Sequence, residues 1–191
     1  MSRITDLLAA ARRGSRSQDL DYDALAWDFQ GWMATDGEYG ARFNSRVGRW
    51  ARGRGLGKLL GLGAHRAVFA VPEGVLKLIY SRDYQRSNID EARVWYEAPL
   101  EIREHLVPVL GAAEDGNWLV MERVAVTGKG KLPDKVFERM FDCGLTDLLG
   151  WNLSDDGRVL DYGYLWDEKR WRKCALSDAD ADAAYQARGR R

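Results

Sequence analysis

The stretch that decides the fold is LGLGAHRAVF, Leu60–Phe69, which is followed after a Pro-Glu-Gly turn by VLKL, Val75–Leu78. Two short apolar runs separated by turn residues predict an antiparallel β-hairpin. Gly61 and Gly63 stand just before the first of these strands. A glycine there is most often a turn residue, but it also allows the backbone to approach a phosphate group that a side chain would obstruct. The stretch therefore predicts a hairpin. Its two glycines are either turn residues or residues at which the backbone contacts a phosphate.

The second strand of this hairpin contains a lysine between apolar neighbours. A lysine in a strand usually lies on a solvated face, but Leu76 and Leu78 beside Lys77 favour an inward position. An inward ammonium group needs an anionic partner, because burying an unpaired charge is costly. Glu91, on the helix predicted after the hairpin, is the candidate partner. The alternative interpretation of Glu91 is a solvated helix carboxylate.

Three polar residues further along the chain form a candidate site for a metal and for chemistry. Asp147 and Asn152 are separated by four residues in DLLGWN, and Asp161 ends a predicted strand before a Tyr-Gly pair. Carboxylate and amide oxygens that face one point suit Mg²⁺. The order in which these segments follow one another along the chain is a more specific signal than any single segment.

In this order the segments resemble the protein-kinase-like superfamily, over roughly residues 56–165. The amino-acid sequence of several segments is similar to that of compact kinase-like proteins of bacteria and phages. The Gly61–Phe69 segment resembles the glycine-rich loop, and Asn117–Val124 the strand that runs into the hinge. Asp147 and Asn152 match the spacing of the catalytic loop, and Asp161–Gly163 resembles the metal-binding Asp-Phe-Gly.

The resemblance implies that the chain binds ATP and Mg²⁺. It implies that Lys77, held by Glu91, contacts the α- and β-phosphates, and that Asp147 orients or accepts the proton of an acceptor hydroxyl. Lys77 and Asp147 are thus the predicted catalytic residues, and Asn152 and Asp161 the predicted metal ligands. The predicted nucleotide-binding residues are Gly61, Gly63, Val68, Lys77, Glu91, Met121, Glu122 and Val124.

Departures from the family pattern leave two functions open. Arg66 stands where a third glycine is usual, Leu145 replaces a histidine two positions before Asp147, and Leu149 replaces a basic residue two positions after it. The first function is an active kinase that phosphorylates a protein or small-molecule hydroxyl. The second is a non-catalytic pseudokinase that serves as a binding or inhibitory module.

Composition predicts a globular chain without an evident membrane or nucleic-acid preference. The 191 residues are 46% hydrophobic and 30% charged, with 29 basic and 29 acidic side chains. This balance does not indicate a membrane or a nucleic-acid partner. No apolar run approaches the roughly 18–20 residues of a membrane span, and Met1–Gly14 lacks the apolar core of a secretory signal. A cytoplasmic location is predicted, with Cys143 and Cys174 as separate thiols.

One segment departs from this even charge distribution. Between Gly40 and Pro72 the chain has no acidic residue, while Arg42–Lys58 is rich in arginine. The segment could contact RNA or another phosphate-rich ligand, with Trp50 available for stacking. A solvated surface is the favoured interpretation, because a charge run usually balances acidic patches elsewhere.

The predicted fold class is α+β, a minimal protein-kinase-like fold with an antiparallel N-lobe sheet, a C helix and a truncated C-lobe. The predicted division is an N-terminal helical extension over residues 1–55, an N-lobe over 56–125 and a C-lobe over 126–191. The predicted helices are Ser2–Arg13, Asp23–Thr35, Asn88–His105 with an interruption at Pro99, Pro133–Asp142 and a C-terminal one around Asp178–Asp182. The predicted strands are Ala67–Val71, Val75–Tyr80, Leu106–Ala112 and Asn117–Val124, and Leu153–Asp161 is predicted as a small hairpin.

Overall fold

The structure is a computed structural model that describes residues 20–36, 40, 42–148, 150–163 and 167–188. The predicted helix Ser2–Arg13 lies outside these residues. The helices are α1 Tyr22–Asp36, α2 Phe43–Arg52, α3 Gln85–Glu97, α4 Leu100–Arg103, α5 Asp134–Asp142, α6 Glu168–Cys174 and α7 Asp178–Arg188. The strands are β1 Leu59–Leu62, β2 Arg66–Val71, β3 Gly74–Ile79, β4 Val109–Ala112 and β5 Trp118–Met121. Short 3-10 turns cover Arg82–Tyr84 and Gly150–Asn152.

The strands form one antiparallel sheet in the order β1-β2-β3-β5-β4. The predicted α+β class with an antiparallel sheet is therefore confirmed. The β2–β3 hairpin is confirmed nearly residue for residue, since Val71 pairs with Gly74 across the turn. The predicted helix Asn88–His105 is interrupted at Pro99 as expected, because the proline ring cannot continue the helix and instead precedes α4.

The chain divides into two compact units, one of residues up to 89 with 109–123 and the other of 90–108 with 124–191. In the first unit, α1 and α2 cover one face of the sheet. Phe29 of α1 lies 4.6 Å from Trp50 of α2 and 5.9 Å from Phe69 of β2, measured between ring centroids. The described part of the predicted N-terminal extension is therefore part of the core of this unit.

Trp50 is only 4% exposed and donates its indole N–H to Asp28, 3.1 Å away. The expectation that Trp50 is available for stacking on a ligand is wrong, because its ring fills the space between α2 and the sheet.

The second unit contains a disulfide between Cys143 and Cys174. The prediction of two separate thiols is wrong. The cysteines end α5 and α6, and the packing of these helices brings their ends together although 31 residues separate them in sequence. Nearby, Glu97 accepts hydrogen bonds from Arg93 at 2.9 Å and from the indole of Trp171 at 2.8 Å.

The helices α2 and α6 and the strand β1 are not among the predicted elements. The basic segment Arg42–Lys58, for which a solvated surface is the favoured interpretation, contains α2, and β1 follows it directly. The apolar side chains of α2 recur at helical spacing, with Phe43, Val47 and Trp50 buried; the arginines between them obscured this pattern. Within the described ranges, no helix is long and apolar enough to cross a membrane.

Candidate functional site

Three predicted nucleotide-binding residues lie in one row across the sheet of the first unit. Gly61 of β1 pairs with Val68 of β2, and Val68 pairs with Lys77 of β3. The row continues to Leu119 of β5. Directly opposed residues of an antiparallel sheet share a face, and neighbouring strands are about 4.8 Å apart, so Gly61 and Lys77 are about 10 Å apart.

This row lies on the face of the sheet that α1 and α2 do not cover. The residues that pack against these two helices are the alternate ones, among them Phe69, Leu76 and Val120. Because side chains alternate between faces along a strand, Val68 and Lys77 point away from the α1–α2 layer. Lys77 is nevertheless only 6% exposed, so the predicted inward position of its side chain is confirmed.

Gly61 of β1 and Gly63 after it are not required by the packing of the protein. A Cβ at Gly61 would meet nothing within 4 Å, and one at Gly63 would lie 3.6 Å from the Arg66 carbonyl oxygen, an ordinary contact. Neither residue has a positive φ. By contrast, a Cβ at Gly74 would lie 2.0 Å from the carbonyl oxygen of Met121, so that glycine is needed for the β3–β5 pairing.

Arg66, the residue that departs from the family pattern of the loop, has a structural role. It is buried and donates a hydrogen bond to the side chain of Asn88, 2.8 Å away at the start of α3. Asn88 in turn donates to the carbonyl of Gly116 at 2.9 Å. A Cβ at Gly116 would lie 2.4 Å from the Gln85 carbonyl oxygen, which explains the glycine of this turn. Arg66 and Asn88 thus link β2, α3 and the β4–β5 turn, which the sequence analysis did not anticipate.

The predicted hinge residues follow β5. Met121 is the last residue of β5 and is buried, while Glu122 is half-buried and begins a segment without regular structure. One of the places where the chain passes from the first unit to the second lies between Arg123 and Val124. Glu91, the predicted partner of Lys77, lies within α3 and is fully buried.

In the second unit, a short hairpin brings the predicted metal ligands to the same end. Leu153 pairs with Val159, and the backbone N–H of Leu160 donates to the carbonyl of Asn152 at 2.8 Å. Asn152 and Asp161 therefore flank the open end of this hairpin. The predicted pair of strands over Leu153–Asp161 is reduced to isolated bridges, because Val159 pairs with Leu153 and also with Leu106 and no longer ladder forms.

Side chains stabilise the turn of this hairpin. The hydroxyl of Ser154 accepts from the N–H of Arg158 at 2.8 Å. The hydrogen bonds from Arg158 and then from Ser154 hold the pKa of Asp156 below its usual range. Asp155 accepts from the backbone N–H of Thr127 at 2.7 Å, which attaches the turn to the segment that follows β5. Asp155 and Asp156 are therefore turn residues of this hairpin.

The Tyr of the Asp-Tyr-Gly segment fixes the other end of the hairpin. Tyr162 is buried and donates its hydroxyl to the carbonyl of Val107 at 2.7 Å. Val107 also donates its N–H to Val159 at 2.9 Å. Because Tyr162 is anchored in this way, the backbone beside Asp161 has a defined position.

Asp147 lies in a loop that is held by leucines. Leu145 and Leu148 are each 1% exposed, whereas Asp147 is exposed to solvent. Leu145, which replaces the usual histidine, is thus a core residue of the second unit. Leu149 lies outside the described residues.

Asn152 and Asp161 fit a Mg²⁺ site by the chemistry of their donors, because a hard cation prefers amide and carboxylate oxygens and commonly takes its remaining ligands from phosphates and water. Among the described residues, no group of three or more His, Cys, Asp or Glu side chains is arranged to hold a metal ion. Asn152 and Asp161 are therefore a candidate set of two residues, and their role as Mg²⁺ ligands remains a proposal.

No family model matches the chain, and no curated protein is significantly similar to it. The resemblance to the protein-kinase-like superfamily accordingly rests on the residues named above and remains a proposal.

Proposed function

We propose that the chain binds Mg²⁺·ATP in the manner of a minimal protein-kinase-like domain and transfers phosphate to a hydroxyl of a protein or small molecule. The observation that carries this proposal is the row of Gly61, Val68 and Lys77, in which a buried lysine shares a sheet face with a glycine that the fold does not need. A five-stranded antiparallel sheet with a helix between its third and fourth strands agrees with the expected N-lobe and C helix.

Burial of the predicted ion pair supports the same proposal. Lys77 is 6% exposed and Glu91 is fully buried, and lysine and glutamate are almost never so buried unless they are paired. In the proposed role, Glu91 orients the ammonium group of Lys77 toward the α- and β-phosphates, with Val68, Met121, Glu122 and Val124 around the base and Gly61 and Gly63 at the phosphates.

The residues of the second unit complete the proposed chemistry. Asn152 and Asp161 would hold Mg²⁺, which neutralises charge on the transferring phosphate. Asp147 would orient the acceptor hydroxyl and accept its proton. Phosphoryl transfer depends mainly on positioning and electrostatic stabilisation, so a small number of fixed groups is sufficient.

Thermal unfolding with and without Mg²⁺·ATP tests nucleotide binding. At a ligand concentration of about 100 times Kd, the free energy of unfolding of the wild type should rise by about 2.7 kcal/mol. This corresponds to an upward Tm shift on the order of 5–10 °C. Lys77→Met and Asp161→Asn should each lose the shift, measured from the Tm of the variant itself. Lys129→Met, at an exposed residue, is the matched control and should retain it. A wild type whose Tm does not move at millimolar Mg²⁺·ATP would contradict the proposal.

The burial of Leu145 favours a second candidate, a pseudokinase that binds a partner without transferring phosphate. Here a core leucine occupies the position where the family has a polar catalytic-loop residue. Transfer of the γ-phosphate from labelled ATP distinguishes the two functions. An active kinase should lose transfer in Asp147→Asn and keep the Mg²⁺·ATP-induced Tm shift. Nucleotide binding without transfer to any hydroxyl substrate, or to water, would favour the pseudokinase.

A further inference from the structure

A basic groove lies beside α2 in the first unit, on the outer face of that helix. The groove has a volume of about 930 Å³ and is open to solvent. Its charged lining consists of three arginines of the α2 region and one lysine before β1: Arg42, Arg49, Arg52 and Lys58. The side chains of Asn44 and Ser45 add uncharged hydrogen-bonding groups, and none of the described residues that line the groove is aromatic.

The positive charge of the groove is not neutralised by the described residues. Two other arginines of the same segment are paired, Arg46 with Asp36 and Arg54 with Asp28. Within the described ranges, the side chains of Arg42, Arg49, Arg52 and Lys58 form no ion pair. The chain as a whole has equal numbers of acidic and basic side chains, but the groove has a local excess of four positive charges. For this segment the sequence alone favours an ordinary solvated surface.

Helix stability accounts for only part of this arrangement. Arg49 and Arg52 lie in the last turn of α2, where positive charge is favourable to the helix dipole. Arg42 lies at the opposite end, where positive charge is unfavourable, and Lys58 lies outside the helix. A common external anion therefore explains the four residues better than the helix does.

The position of Lys58 is fixed by the sheet. Gly57 donates its N–H to the carbonyl of Ala70 at 3.1 Å, and Lys58 accepts from the N–H of Ala70 at 2.9 Å. A Cβ at Gly57 would lie 2.6 Å from the Ala70 carbonyl oxygen, so only glycine allows this close approach. The backbone of Lys58 is consequently held rigidly next to the outer face of α2.

The length of the charged face indicates an extended anion. Arg42 and Arg52 are ten residues apart, which is about 15 Å along a helix. This is the axial length of about four phosphates of one nucleic-acid strand.

The packing of α2 argues against a membrane surface as the ligand. An amphipathic helix that binds a bilayer inserts its apolar face among the lipids. In α2, Phe43, Val47 and Trp50 already pack against α1 and the sheet. Only the polar face remains exposed, and such a face offers charge without apolar area.

From these observations we infer that the groove binds the phosphodiester backbone of a duplex nucleic acid without reading its sequence. Arg42, Arg49, Arg52 and Lys58 contact successive phosphates, and Asn44 and Ser45 donate further hydrogen bonds. Among the described residues, the groove lining offers no aromatic side chain of the kind on which single-strand binders stack bases. This site is separate from the proposed Mg²⁺·ATP site.

The test is fluorescence anisotropy with a labelled 20-base-pair DNA duplex over a range of salt concentrations. Four phosphate contacts predict a slope of log K against log salt of about −3.6, and replacement of three of them should leave about −0.9. The variant is Arg42→Gln/Arg52→Gln/Lys58→Gln. The matched control is Lys129→Gln/Lys135→Gln/Lys173→Gln, which removes the same charge from exposed residues of the second unit and should keep the wild-type slope.

Additional binding measurements identify the class of ligand. RNA and DNA duplexes of different sequence should bind within about threefold of one another, and a millimolar excess of Mg²⁺·ATP should not displace them. No binding of duplex by wild type at 50 mM salt would overturn the inference, as would an equal loss of affinity in both triple variants. Tighter binding to phosphatidylserine vesicles than to duplex, lost in the groove variant alone, would assign the groove to a lipid surface and overturn it also.

Discussion

Gly61 and Lys77 show how much depends on single residues in this protein. Both lie in the same row of the sheet, yet neither residue type is what the strand alone would favour. Glycine weakens a strand, and a buried lysine loses its hydration. Residues that reduce stability without a structural need are frequently those that contact a ligand.

Replacing Gly61 separates a ligand role from a structural role. Gly61→Ala should leave the free energy of unfolding unchanged or raise it by up to about 1 kcal/mol, because alanine loses less backbone entropy and meets no neighbour. The same variant should bind Mg²⁺·ATP more weakly, by about tenfold, as measured by calorimetry.

Gly74→Ala is the matched control, because its Cβ would collide with the Met121 carbonyl oxygen. We expect the free energy of unfolding of that variant, measured by urea denaturation, to be lower than that of the wild type by about 2 kcal/mol or more. If Gly61→Ala binds Mg²⁺·ATP as tightly as the wild type does, Gly61 does not contact the nucleotide. Its proposed role at the phosphates is then wrong.

At the scale of elements, the contact between α1 and α2 explains how the basic segment folds. Asp28 of α1 accepts hydrogen bonds from Trp50 at 3.1 Å and from both ends of the Arg54 guanidinium group, one of them at 3.1 Å. The hydrogen bond from Arg54 is the main reason that the pKa of Asp28 lies below its usual range. This acid thereby attaches the C-terminal end of α2 to α1.

Asp28→Asn should reveal this interaction as a pH-dependent difference in stability. Because the folded state lowers the pKa of Asp28, its contribution is present above the ordinary value of 3.8 and is lost as pH falls through the folded value. The carboxylate is about half exposed, so wild type should exceed the variant by only about 0.3–1 kcal/mol at pH 7. The two should converge at pH 2.5 in urea unfolding.

Glu114→Gln, at an exposed turn residue, controls for the loss of one negative charge. A difference between wild type and Asp28→Asn that persists in full at pH 2.5 would assign the effect to the amide substitution and not to the charge.

At the scale of the whole molecule, the disulfide is a stabilising feature of the second unit. Cys143 and Cys174 close a loop across 31 positions of sequence. A cross-link of this length restricts the unfolded chain and stabilises the folded one by about 3–4 kcal/mol in the chain-entropy description.

Cys143→Ala/Cys174→Ala should therefore lower the free energy of unfolding by about 3 kcal/mol. Dithiothreitol should lower the Tm of the wild type toward that of the double variant and leave the double variant unchanged. Two titratable thiols in unfolded wild-type protein before any reductant is added, with a Tm that reductant does not alter, would show that the bond does not form in solution.

The sequence alone was sufficient where local chemistry decides the structure. The β2–β3 hairpin, the interruption at Pro99 and the helix after Pro133 follow from turn residues, from the proline ring and from apolar spacing. The ordered polar residues, from Lys77 to Asp161, were likewise identified from the sequence. Their proposed roles remain predictions.

Only the tertiary structure decided which residues meet across the chain. The row of Gly61, Val68 and Lys77 depends on strand register, and the Cys143–Cys174 bond depends on the packing of two helix ends. Trp50 became a core residue and the arginines of α2 an exposed face because the helix has one apolar side that the sheet covers. Such contacts arise between distant residues, and spacing along the sequence carries no information about the distance between them.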